Sequence, residues 1–312
     1  MTDQTLSLAP PGPCSFEPQD RAAMPAWAGV FGTILTAMIV SAAIYQARDF
    51  DLAQISGLVP TSPVFWSLFV ISYLLGPAAD WLIFRRLWGV GADALGALIR
   101  KLLYNELLLN YLGEVYFYGW ARRNLRFATA PFGAVKDVAL LSAVAGNVAT
   151  LFFLCLTFPF LRLLPIHDHA TALGWSLAFA VGTSLAVMLL RRSLFSLSRE
   201  ELKSVLSVHL IRILTATFLS AVLWHLVLPD VALGWWLILS TARLLVFRLP
   251  FVPNKEVAFA GLAVLVLGGD VEISALMALM AVLVLSAHVL VGTGFVVADL
   301  LSKGSRNDLA AR

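Results

Sequence analysis

Charge is scarce in this 312-residue sequence. Asp, Glu, Lys and Arg make up 13% of it, about half their share in soluble domains. Hydrophobic residues make up 60%, and the mean hydropathy is +0.85. Cysteine is scarcer still: Cys14 lies in a polar tail and Cys155 inside an apolar run, which excludes a disulfide framework. Walker, HExxH, CxxC and nucleophile-elbow motifs are all missing, so neither ATP-driven transport nor hydrolysis at a standard catalytic centre is expected. No nucleic-acid module occurs, and the formal charge of +3 matters only through the loops that carry it. What remains is an all-α, polytopic helical membrane protein.

The chain divides into a disordered tail over 1–25, one transmembrane domain over 26–301 and a C-terminal tail over 302–312. The first 25 residues hold five prolines and lack the basic start and apolar centre of a cleavable signal. Six stretches are long and apolar enough to cross a bilayer: 26–46, 63–84, 138–164, 170–190, 204–228 and 273–300. Residues 91–126 differ in kind, with Arg100, Lys101, Glu106, Glu114, Arg122 and Arg123 spaced through tyrosine-rich sequence, and read as interfacial or re-entrant. A second broken segment enters at Val231. Pro250 and Pro253 interrupt it, and the apolar piece 257–267 that follows is too short to span. Such breaks survive in lipid only inside protein or beside water.

Lys and Arg number eight in 85–137, four in 191–203 and three at the C-terminus. The 47–62 loop has one, and the 165–170 loop has only the adjoining Arg162. This asymmetry predicts cytoplasmic termini and cytoplasmic basic loops.

Both broken stretches bring an amide and an acid together, Asn110-Tyr111-Leu112-Gly113-Glu114 and Asn254-Lys255-Glu256, a pattern expected of a degenerate inverted repeat around one site. Glu114 and Glu256 are the acids to single out, because an ionisable group at membrane depth needs a partner. Arg212 lies about 12 Å into its span at 1.5 Å per residue, with His209 one turn earlier on the same face. Arg243, Arg248 and Lys255 are of the type that grips phosphate. Ordinary loop charge and structural ion pairing explain these residues as readily. His167-Asp168-His169 does not make a closed metal site, and neither metal nor cofactor is expected.

The Asn110 to Glu114 block with its Gly113-Glu114 pair, and the block Leu249-Pro250-Phe251-Val252-Pro253-Asn254-Lys255-Glu256 before a short apolar helix and Gly268-Gly269-Asp270, resemble the flippase-like membrane region of lysylphosphatidylglycerol synthases and its stand-alone relatives. The order of spans agrees over 26–300. The chain departs from that pattern in lacking the glycine run of the second block and a proline and arginine around the first. The resemblance implies lipid translocation between leaflets of a bacterial cytoplasmic membrane, without synthase activity. The expected substrate is a membrane lipid, anionic, aminoacylated or polyprenyl-linked, and the expected assembly is a homo-oligomer or a complex with a lipid-synthesis enzyme. Two other classes stay open: a non-transporting accessory subunit of a glycosyltransferase or lipid synthase, and an embedded enzyme acting on a lipid phosphate.

Overall fold

In the computed structural model the described residues are 57–108, 111–125, 131–161, 195–247 and 271–310, with Gly182 and Phe259, and every regular element among them is an α-helix. We number them α1 (Pro63–Trp88), α2 (Ala94–Leu107), α3 (Leu112–Asn124), α4 (Phe132–Leu161), α5 (Arg199–Val227), α6 (Leu233–Phe247) and α7 (Val271–Ala310). Four segments, Pro63–Trp88, Phe132–Leu156, Arg199–Val227 and Ala275–Leu301, are long and apolar enough to cross a membrane. They fall on four of the six expected spans. The other two, 26–46 and, apart from Gly182, 170–190, lie outside the described residues, as does the break at 250–254. The described residues are thus those of an all-helical chain with four helices long and apolar enough to cross a membrane, consistent with a helical membrane protein, and the finer arrangement of six spans with two re-entrant segments is not what these residues display.

Local chemistry sets the helix ends. Pro63 opens α1, where its missing N–H costs nothing, and Gly89 closes it at φ +66° while donating its N–H to the Arg85 carbonyl. Ser198 and Glu201 form a reciprocal capping box at the start of α5. The tyrosine-rich region resolves into two short helices, α2 and α3. The turn between them places Tyr111 at φ +75°, a left-handed conformation rare outside glycine.

α5 packs against α1, α4 and α6, so it forms the centre of the bundle, and α2 packs on α1, α3 and α7. Two apolar clusters mark its two ends. One joins Phe84, Phe117, Val135 and Val205, from α1, α3, α4 and α5. The other joins Trp224 and Trp236 to Phe259, Leu276 and Leu279. The outer faces are apolar as well, with Ile71, Phe152, Ile211, Phe218 and Leu290 exposed. Buried positions that are polar are therefore the exception.

Candidate functional site

Three of the buried polar residues, Asp80, Lys101 and His209, meet in one place. Between α1, α2, α3, α4 and α5 lies a cavity of about 140 Å³, several waters' worth at roughly 30 Å³ each. Asp80, Lys101, Glu106, Glu114, His209 and Arg212 all line it. Gly76-Pro77 gives α1 its part of the wall, Gly76 by having no side chain. Pro77, inside α1, cannot donate to the carbonyl four residues back.

Lys101 is the hub. Its Nζ donates to Asp80 Oδ2 at 2.6 Å and lies 3.3 Å from Glu114 Oε1. Lys101 and Asp80 are 8% and 7% exposed, so this pair is withdrawn from solvent. Asn105, one turn further along α2, holds the break between α2 and α3. Its Oδ1 accepts from the Gly113 N–H at 2.7 Å, and its Nδ2 donates to Glu114 Oε1 at 3.2 Å. Gly113 is needed here because a Cβ would collide with the Lys101 carbonyl oxygen and press on Asn105. Glu114 stands in the first turn of α3, where a helix favours negative charge.

The facing wall comes from α4 and α5. Arg212, near the midpoint of α5, donates from Nη2 to Ser142 Oγ at 3.0 Å, and its Nε is buried without a partner among the described residues. His209 is 1% exposed, and among the described residues neither ring nitrogen has a hydrogen-bond partner of ordinary geometry. The Val138 backbone adjoins that ring without forming a bond of ordinary geometry. Glu114 Oε2 is likewise buried and unpartnered among the described residues. The cavity thus presents a guanidinium donor, a carboxylate acceptor and an imidazole able to act as either.

Of the residues singled out in the sequence, Glu114, His209 and Arg212 meet at this cavity. Arg243 does not line it, and instead points Nη1 at Ser220 Oγ, 3.4 Å away between α6 and α5. Asn110, Arg248, Asn254, Lys255 and Glu256 lie outside the described residues, and with them one half of the expected repeat. Sequence reasoning missed Asp80 and Asn105 as parts of the site, and treated Lys101 only as an interruption of apolar sequence. Their signal is a polar group within otherwise apolar helical sequence, which gains meaning only when the partner helix is known. No group of three or more metal-ligating side chains occurs among the described residues. Comparison with protein-family models, with curated proteins and with solved structures finds no match.

Proposed function

We propose that the protein moves a phosphate-bearing lipid, anionic, aminoacylated or polyprenyl-linked, between the leaflets of a bacterial cytoplasmic membrane. The headgroup passes through the polar cavity while its acyl chains stay in the bilayer. The observation that carries this reading is a cavity with charged walls enclosed by apolar helices. Moving charge through hydrocarbon is expensive, and fixed polar groups around a water-sized space lower that barrier. Arg212 is the anchor for the phosphate, because its buried Nε–H has no other acceptor among the described residues and guanidinium binds phosphate through paired donors. Lys101 supplies the second positive charge.

The test is movement of fluorescent phosphatidylglycerol across vesicles of phosphatidylcholine containing the purified protein, followed by chemical quenching of the outer leaflet. Wild-type protein should accelerate exchange between leaflets. Arg212→Ala removes a hydrogen bond to a charged group, about 1.5 to 3 kcal/mol, and should slow movement by roughly ten- to a hundredfold. A wild-type protein that binds the lipid but leaves the leaflets unexchanged would sink the transport reading and favour an accessory subunit.

A further inference from the structure

Glu114 is held less tightly than Asp80. Asp80 has Lys101 at 2.6 Å, whereas Glu114 has it at 3.3 Å and keeps Oε2 buried with no donor among the described residues. Among the described residues that line the cavity, three are carboxylates, Asp80, Glu106 and Glu114, and two are cations, Lys101 and Arg212. A headgroup phosphate adds a negative charge beside these carboxylates, where poor screening makes like charges costly. One proton taken up with each headgroup keeps the charge constant.

We propose that Glu114 is a proton-binding site that couples headgroup movement to proton movement, a proton on Glu114 releasing Lys101 to the phosphate. This rests on the reading that a phosphate-bearing headgroup occupies the cavity. In the step, a proton from water on one side bonds to Glu114 Oε2 and the carboxylate becomes neutral. The Lys101 N–H nearest Oε1 then has the phosphate as its charged acceptor. On the other side the O–H bond breaks, the proton returns to water and Glu114 takes Lys101 back.

Among the described residues, the polar and charged groups that line the cavity with Glu114 are Asp80 from α1, Lys101, Asn105 and Glu106 from α2, Ser142 from α4, and His209 and Arg212 from α5. A phosphate beside Lys101 and Arg212 offsets their charge, and a proton on Glu114 frees Lys101 to meet that phosphate. The proton and the anion therefore promote each other's binding, as linkage requires.

The experiment uses full-length protein in phosphatidylcholine vesicles containing fluorescent phosphatidylglycerol, with a pH gradient imposed in either direction. Net lipid movement should run toward the alkaline leaflet and reverse with the gradient. One proton per lipid supports about a tenfold leaflet ratio per pH unit. Glu114→Gln, whatever its rate, should show no dependence on the gradient, and Glu114→Asp should regain it. Loss of the response in Glu106→Gln with its retention in Glu114→Gln would overturn the assignment. A second measurement is independent of transport: the soluble headgroup glycerophosphoglycerol, added to detergent-solubilised protein, should be bound with proton uptake that Glu114→Gln abolishes. Lipid movement indifferent to the gradient, with no proton uptake, refutes the proton site and leaves transport standing. Proton uptake without lipid movement leaves the proton site standing and refutes transport, while absence of both refutes both.

Discussion

Lys101 holds the polar interior together because it answers two carboxylates from two other helices, Asp80 and Glu114. Neither pairing is local. Asp80 lies 21 positions away and on the far side of a turn, so helical periodicity, which relates positions three or four apart, carries no trace of it. The same holds for Asp137, which is fully buried and fastens the 196–197 backbone to α4. Its Oδ2 accepts from the Ser196 and Leu197 N–H groups and from Ser196 Oγ at 2.6 to 2.8 Å. Sequence reading counted Asp137 as outside its span and assigned it nothing. The Asp80–Lys101 pair is open to measurement. Lys101→Met leaves a buried carboxylate without its ammonium and should destabilise the protein by about 3 to 5 kcal/mol in detergent unfolding. Adding Asp80→Leu should recover most of that loss. A single-mutant cost below roughly 1 kcal/mol would place the pair in effective contact with water, as at an exposed surface.

The helices show where reading the chain succeeded and where it stopped. The four described spans follow from hydropathy, since an unbroken apolar run of bilayer length has few other uses. Their ends were harder to read. α5 begins at Arg199, five residues before the expected start at 204, because the Ser198 capping box nucleates the helix in polar sequence ahead of the lipid. Hydropathy sees only the part in hydrocarbon, while backbone hydrogen bonding continues past it. In the α2 to α3 region the break was readable from charge, but its construction was not. Two glycines test that construction by contrast. A Cβ on Gly113 would strike the Lys101 carbonyl, so Gly113→Ala should cost about 1 to 3 kcal/mol in thermal unfolding. A Cβ on Gly76 meets nothing within 4 Å. Gly76→Ala should fold at least as well as wild type, gaining the roughly 0.5 to 1 kcal/mol by which alanine exceeds glycine inside a helix. Equal stability of the two variants would contradict the close approach of α3 to α2.

Across the bundle, basic residues from distant parts of the chain collect at one end. Arg86 at the end of α1 donates to Ser204 near the start of α5 at 3.1 Å, across 118 positions. Lys136 stands beside Asp137, which grips the loop leading into α5. Arg122 and Arg123 close α3, whose Phe117 packs in the same cluster as Phe84 and Val205. The opposite end carries the Leu228 and Val231 turn, where Leu58 and Ile273 pack, with Asp230 exposed and Glu272 in the first turn of α7. Among the described residues the loop-charge asymmetry of the sequence thus becomes a polarity of the bundle, with Lys and Arg gathered at one end and Asp230 and Glu272 at the other. Because cytoplasmic flanks are the ones enriched in Lys and Arg, the basic end should face the cytoplasm. Ser198 and Asp230 flank α5, both exposed, and report the two ends of one spanning helix. In a background without Cys14 and Cys155, Asp230→Cys should react with an impermeant thiol reagent in intact cells, while Ser198→Cys should react only after lysis. The reverse pattern would invert the orientation. It would also leave the positive charges of Arg86, Arg122, Arg123 and Lys136 on the outer face, against the bias that governs how such helices insert.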